Sequence, residues 1–349
     1  MNHGIAFALA SALLFGVSAP LAKLLLGRLD PWLLAGLLYL GSGAGLALLR
    51  PLLPRQGGRL GRADWPWLAA AIVAGGVVGP VLMMVGLAHS PAASAALTLN
   101  LEGVFTLGLA WVVFRENVDR RLLVGAAAIL GGAALLSWQD LSSGGGWGLF
   151  AIAGACLAWA IDNNLTRKIS AGDPVQIAML KGLTAGSVNT GLALALGTAL
   201  PAPALAAEAA ALGLAAYGVS LVLFVLALRH LGTARTGAYF SLAPFAGAVL
   251  AIPLLGETPT PLLAAAGMLM ALGLYLHLTE SHAHDHVHEV LEHDHPHSHD
   301  EHHQHSHDEH HQHSHDGVTV AEPHSHRHTH QRLVHRHPHY PDIHHRHVH

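Results

Sequence analysis

The chain has 349 residues, of which 52% are hydrophobic and only 11% are charged. Ordinary soluble proteins contain about 25% charged residues, so this composition excludes a soluble single domain. Of the 31 histidines only His3, His89, His230 and His277 precede residue 281, which leaves 27 in residues 281–349, called the tail below. The net charge is +3 over residues 1–280 and −7 over the tail, so two different kinds of polypeptide are joined in one chain.

Ten apolar runs follow one another before the tail. A hydrocarbon core of roughly 30 Å is crossed by about 20 helical residues. The predicted spans are 4–26, 32–49, 66–87, 92–114, 121–138, 147–166, 175–197, 209–229, 234–255 and 261–278. Short links such as Asp30-Pro31 and Asp173-Pro174 carry turn signals. The sequence therefore predicts an all-α polytopic protein of ten transmembrane helices, placed multi-pass in the plasma (inner) membrane.

The loop charges predict the orientation, because Lys and Arg accumulate in cytoplasmic loops. With the N-terminus inside, eleven basic residues fall in cytoplasmic loops, among them Arg50 and Lys168, against only Lys23 and Arg28 on the other side. We expect both termini, and hence the tail, to be cytoplasmic.

The two halves of the apolar part are similar in sequence. The segment from Gly4 aligns with that from Gly148, and at an offset of 141 Glu116 aligns with Glu257. Because each copy holds five helices, the second enters the membrane from the opposite side, which gives inverted repeats of the kind on which many alternating-access carriers are built. The predicted domains are two five-helix repeats, 1–140 and 141–280, followed by the tail 281–349.

Two pairs of stretches carry a family resemblance. LTLNLEGVFTLGLAWVVFRE at 97–116, followed by GAAAILGG at 125–132, resembles the repeat unit of the EamA family of the drug/metabolite transporter superfamily. The second half repeats it as LAPFAGAVLAIPLLGE at 242–257 and GMLMALG at 267–273. The family usually has Glu-Pro where this chain has Glu102-Gly103. The resemblance covers about residues 4–278 and implies a proton-coupled or facilitative carrier of small organic solutes, often an exporter.

Polar residues inside predicted spans are the candidates for a transport pathway, because ionisable groups in a bilayer are costly and usually functional. Glu102 lies near the middle of the fourth span beside Asn100 and could carry a coupling proton; alternatively, it is a permanently hydrogen-bonded packing residue. Lys181 could hold a substrate carboxylate, pair with Glu102 or Asp162, or extend to the headgroups. Asp162, Asn163 and Asn164 near the end of the sixth span could line the pathway or lie at the interface.

Other conspicuous residues have structural interpretations. The pairs Gly41/Gly45, Gly75/Gly79 and Gly182/Gly186 have the GxxxG spacing of close helix packing. Glu116 and Glu257 lie between spans, where we expect end-capping or a salt bridge rather than substrate contact.

The tail contains the octapeptide DEHHQHSH twice, at 300–307 and 308–315. Its few apolar residues cannot form a core, so we expect it to be disordered when free. Neutral imidazole binds Zn, Ni, Co or Cu; the alternative is a solvated tail that gains charge below about pH 6.5. The candidate metal ligands are His293, His295, His297, His299, His302, His303, His305, His307, His310, His311, His313 and His315.

Three functional classes follow, and a gradient-driven secondary transporter of a small molecule or ion is preferred, because the chain has no G-x-x-x-x-G-K-[ST] loop for ATP. A divalent Ni, Co or Zn efflux carrier, with Asp162, Asn100 and Glu102 as oxygen ligands, and a membrane-anchored metal sensor or store are the alternatives. An enzyme is not expected, since no H-E-x-x-H motif or nucleophile beside a base is present. No cofactor is required, the partners are the solute and the bilayer but not nucleic acid, and a homodimer is compatible with this organisation.

Overall fold

The computed structural model divides into two compact units, Met1–Glu280 and Ser281–His349. It describes residues 3–53, 58, 60–114, 120–142, 147–169, 172–224, 226–227, 236, 239–278, 282–288, 291–297, 324–330 and 333–339. The helices of the first unit are α1 His3–Leu26, α2 Pro31–Leu49, α3 Trp65–Ala71, α4 Gly79–Ala88, α5 Ala92–Thr98, α6 Leu101–Phe114, α7 Arg120–Ser142, α8 Gly148–Arg167, α9 Pro174–Ala195, α10 Pro203–Gly213, α11 Ala243–Leu255 and α12 Pro261–Leu278. Two π-helical segments, Ile72–Val78 and Leu214–Val219, continue α3 into α4 and extend α10.

Seven candidate membrane spans, by length and apolarity, occur in the part of the chain that is described. They are His3–Leu26, Pro31–Leu52, Trp65–Ala88, Ala92–Val113, Arg120–Gln139, Gly148–Thr166 and Pro203–Phe224. The 22-residue α9 is long enough to cross a membrane, but polar residues such as Lys181 and Asn189 lower its apolarity. Helices α11 and α12 are apolar but shorter. The all-helical, multi-pass character of the first unit is therefore confirmed.

Two helices begin at the predicted Asp-Pro turns. The Asp30 carboxylate accepts hydrogen bonds from the backbone N–H groups of Trp32 and Leu33. Asp173 caps α9 in the same way, through the N–H groups two and three residues further on. An N-cap carboxylate satisfies N–H groups that the first helical turn leaves unbonded, and Pro at the first helical position has no N–H to satisfy. The cause of both helix starts is thus local in the sequence.

Helices α2 and α9 pack closely because glycines line their contact. A Cβ on Gly182 would lie 2.7 Å from the backbone N of Gly43, and one on Gly186 would overlap Leu40 of the same helix. Gly41 of α2 meets the backbone of α10 in the same manner. The GxxxG pairs therefore act in helix packing, as predicted.

The fourth predicted span is interrupted. It consists of α5 and α6, joined by a turn at Leu99 and Asn100. Successive i to i−3 backbone hydrogen bonds tighten this turn, including those from Asn100 N to Leu97 O and from Glu102 N to Leu99 O. The break occurs although Gly103 replaces the proline that is usual in the family. Glu102 consequently sits in the first turn of a new helix.

The second unit contains four seven-residue strands, β1 His282–His288, β2 Leu291–His297, β3 His324–His330 and β4 Leu333–His339. β1 pairs antiparallel with β4, and β2 with β3. The sequence predicted a tail without regular structure, and the four strands differ from that prediction. Their physical basis is backbone pairing, which satisfies N–H and C=O groups without an apolar core.

Candidate functional site

A buried ion pair joins α8 to α9. Lys181 Nζ donates to both carboxylate oxygens of Asp162, each at 2.6 Å, and also to Thr166 Oγ1 at 3.3 Å. Thr166 in turn donates to Asp162 Oδ1 at 2.9 Å. Only 9% of the Asp162 side chain and 17% of the Lys181 side chain are exposed. Mutual neutralisation of this kind makes two charges tolerable inside an apolar bundle.

The adjacent residue of α8 has a different partner. Asn163 Nδ2 donates to Oε1 of Glu102 at 2.7 Å, which links α8 to the start of α6. Glu102 is half-buried and Asn163 is exposed. The acid at the interruption of the fourth span is therefore held by a neutral amide donor, which leaves it able to exchange a proton or accept a cationic group.

The structure decides between the two partners that the sequence allows for Lys181. Lys181 binds Asp162 and is not the counter-charge of Glu102. The two polar contacts are adjacent because Asp162 and Asn163 are consecutive residues of α8, which meets both α9 and α6.

Asn100 and Asn164 satisfy their side chains within their own segments. Asn100 Nδ2 donates to Leu97 O at 2.8 Å and approaches the sulfur of Met270 at 3.9 Å. Asn164 Nδ2 donates to Ala160 O, one turn back on α8, at 2.8 Å. Both are buried. Neither of these two amide nitrogens therefore donates to Glu102 or contacts Lys181.

Sequence reasoning missed a second polar cluster beside Asp162, at the first π segment. Gly75 O accepts from Tyr39 Oη at 3.1 Å and from Trp159 Nε1 at 3.0 Å. Gly76 O accepts from Asn189 Nδ2 at 3.1 Å. A Cβ on Gly75 would overlap the Asp162 carboxylate, so this cluster and the ion pair are in contact. The sequence offered two signals for this cluster: Asn189, a polar residue within a span, and Pro80, which has no N–H for the carbonyls of Gly75 and Gly76.

Residues at the helix ends have structural partners. The Glu257 carboxylate accepts from the N–H groups of Ala92 at 2.6 Å and Ala93 at 2.9 Å, which confirms end-capping. Lys23 donates to the carbonyls of Leu87, Ala88 and Ser90 at the end of α4. Glu116, the other predicted capping residue, lies outside the described residues.

Within the described residues, no group of three or more His, Cys, Asp or Glu side chains is placed to hold a metal ion. Of the predicted tail ligands, the backbones of His293, His295 and His297 lie in β2. The other nine lie outside the described residues: His299, His302, His303, His305, His307, His310, His311, His313 and His315. Metal binding by the tail stays a prediction.

Similarity to known proteins settles the family. The EamA-like transporter family matches residues 2–138 and again residues 146–279. The chain belongs to this EamA-like transporter family. The two matches cover nearly the whole first unit of this EamA protein and stop where the tail begins.

Two curated relatives are similar to this EamA chain, one over most of its length and the other over a short part. An uncharacterized transporter of Methanothermobacter thermautotrophicus is 29% identical over 284 residues, which are 75% of this chain and 82% of that protein. A probable 4-amino-4-deoxy-L-arabinose-phosphoundecaprenol flippase subunit ArnE of Pseudomonas fluorescens is 36% identical over 80 residues, which are 22% of this chain and 64% of that protein.

One solved crystal structure shares the fold at a TM-score of 0.57 and 21% sequence identity. The match covers 78% of this chain and 97% of the other. The likeness supports the arrangement of helices and says nothing about cargo.

Proposed function

We propose that this EamA protein is a gradient-driven carrier that exports a small solute by alternating access. Its pathway runs between the two halves, past Glu102, Asn163 and the Asp162–Lys181 pair. Glu102 is the proton or cation site, and the ion pair is the neighbouring gate that a charged solute can open. Asn100 and Asn164 shape the walls of this region.

The observation that carries the proposal is the position of Glu102 at the break between α5 and α6. Interrupted helices at mid-membrane are a recurrent feature of transporter binding sites, because they leave backbone groups without intrahelical partners. Here the carbonyl of Thr98, at the end of α5, faces the sulfur of Cys156 on α8 at 3.7 Å. A carboxylate with a neutral amide donor beside such a break is suited to reversible loading.

Several symmetrical features support two inverted five-helix repeats and ten spans. The π segments end at Val78 and Val219, which are 141 residues apart, the same offset that aligns the sequences. The Asp-Pro starts of α2 and α9 are also equivalent. These two helices, the second of each repeat, pack on each other, which is compatible with a pseudo-twofold axis between the repeats.

Contacts between helix ends support the side assignment within the membrane. Arg50 donates to Asp173 at 2.6 Å, and Gly58 bridges to Gly172, so the second and sixth loops share one face. Arg28, in the first loop, pairs at 3.5 Å with Glu208 near the start of α10, at the ends assigned to the other face. With the positive-inside bias, the first of these faces is the cytoplasmic one.

The tail adds a metal-responsive element on the cytoplasmic side. Its 27 histidines are separate from the pathway residues in sequence, which favours a regulatory or storage role over direct transport. The second candidate function is efflux of Ni, Co or Zn, for which the tail would bind cytoplasmic metal and feed it to the pathway. The flippase relative matches only 80 residues, so its named cargo is not carried over to this chain.

A growth screen tests the proposal. A deletion strain, with and without full-length or tail-less protein, is exposed to Ni, Co, Zn, Cu and a panel of toxic metabolites. Protection against one solute that requires residues 1–280 and is lost in Glu102→Gln supports the carrier. Metal resistance that the tail-less protein retains identifies the metal-efflux alternative, whereas metal resistance that is lost with the tail indicates storage. A chain that protects against no solute, with or without the tail, contradicts the carrier.

A further inference from the structure

The first π segment, Ile72–Val78, is held by three side chains from three other helices. Tyr39 of α2 and Trp159 of α8 both donate to Gly75 O, at 3.1 and 3.0 Å, and Asn189 of α9 donates to Gly76 O at 3.1 Å. A π turn is wider than an α turn and shifts its carbonyls, so side-chain donors can replace regular backbone bonds. These donors therefore fix the position of the wider π turns in the third span.

Glycine makes this arrangement possible. A Cβ on Gly76 would lie 2.6 Å from the Ala185 Cβ, and one on Gly75 would overlap the Asp162 carboxylate. The missing side chains let α8 and α9 reach the backbone of the π segment. A change of angle at Gly75 and Gly76 thus changes the packing of Asp162 directly.

One group in the cluster is incompletely satisfied. Asn189 is fully buried, and its Oδ1 has no hydrogen-bond partner within the described residues. A buried unsatisfied acceptor costs free energy, so this side chain favours any rearrangement that supplies a donor. The unsatisfied Asn189 oxygen therefore favours exchange of the hydrogen bonds in this cluster for other hydrogen bonds.

The second π segment, Leu214–Val219, has a different anchor. Ser220, the next residue, exchanges hydrogen bonds with Ser11 of α1: Ser11 Oγ donates to Ser220 O at 2.7 Å, and Ser220 Oγ donates to Ser11 O at 3.0 Å. The two repeats thus have π segments at equivalent positions but hold them unequally.

We propose that Ile72–Val78 is the hinge at which the third span bends during the transport cycle. Tyr39, Trp159 and Asn189 are positioning residues that lock this hinge while Asp162 and Lys181 are paired. The role in transport rests on the proposed function. The lock itself consists of hydrogen bonds within the chain and is tested without any solute.

Backbone hydrogen exchange of the full chain in lipid nanodiscs tests the lock. Tyr39→Phe removes one donor with little change of volume, and Trp159→Phe removes the other donor but also leaves a small cavity. We expect exchange in residues 72–78 to accelerate by about fivefold, as the loss of one hydrogen bond implies, while residues 214–219 are unchanged. Trp138→Phe, at a side chain that is 72% exposed, is the matched control and should change neither segment. Unchanged exchange in 72–78, or an equal rise in both segments, overturns the proposal.

The sole cysteine tests bending rather than local loosening. Cys156 is buried on α8 and faces the Thr98 carbonyl. If Tyr39→Phe unlocks a hinge, labelling of Cys156 by N-ethylmaleimide should be at least threefold faster than in the native chain. Faster exchange without faster labelling would show loosening only and would overturn the hinge. Because neither measurement uses a solute, failure of the carrier proposal would be seen separately, as unaltered flux in Glu102→Gln.

Discussion

Asn163 Nδ2 lies 2.7 Å from Glu102 Oε1, while the preceding residue, Asp162, is bound by Lys181. One turn of α8 thus contacts an acid with a neutral partner on α6 and a charge pair on α9. Any movement of α8 relative to either neighbour must change one of these two contacts. This coupling is the physical basis for a gate beside a proton or cation site.

Replacing one partner of the Asp162–Lys181 pair should destabilise the protein. Replacing both partners should destabilise it much less. We expect Lys181→Met alone to lower the free energy of unfolding by about 3 kcal/mol, because Asp162 would stay buried without its cation. Asp162→Asn in the same chain should recover at least half of that loss. Thermal unfolding of the two single variants and the double variant in detergent measures the coupling; equal, additive losses would contradict it.

The contact between α2 and α9 predicts opposite responses of two glycines in one helix. Gly182→Ala should destabilise the protein by about 1 to 3 kcal/mol through overlap with the Gly43 backbone. A Cβ on Gly191 would meet nothing within 4 Å, so Gly191→Ala should be neutral or stabilising by up to about 1 kcal/mol. Parallel melting curves decide, and equal effects would rule out this packing.

Glu257 should matter as a cap. In Glu257→Gln one of the two carboxylate acceptors becomes an amide donor, so an N–H at the start of α5 loses its partner. The expected loss is about 1 kcal/mol of unfolding free energy. Glu208→Gln is the control, since Glu208 forms an exposed pair with Arg28, and exposed pairs contribute little. A Glu208 variant that melts as low as the Glu257 variant would argue against capping.

The tail should bind metal independently of the pathway. Isothermal titration with NiCl₂ or ZnCl₂ should show several ions bound per full-length chain, and nearly none once residues 281–349 are removed. Binding should weaken as pH falls through about 6.5, because protonated imidazole cannot act as a ligand. Retention of the full stoichiometry by the truncated chain would place the metal sites in the first unit instead.

The fold was predictable where the cause is local. Run length and apolarity indicate the spans, and Asp30-Pro31 and Asp173-Pro174 mark helix starts through their own capping bonds. The partner of Lys181 was not predictable, because it depends on which faces of α8 and α9 meet. The first π segment has a local signal in Pro80, which has no N–H to donate to the carbonyls of Gly75 and Gly76. The side chains that replace this donor come from distant residues and could not be identified from the sequence.

Glu102 is proposed as the coupling site of the carrier. Its most direct test is flux of the solute identified by the growth screen into proteoliposomes, with and without a pH gradient. The native chain should show gradient-driven flux that falls at least tenfold in Glu102→Gln, with Glu208→Gln as the unaffected control. Flux of the same size and pH dependence in Glu102→Gln and the native chain would show that Glu102 is not the coupling site.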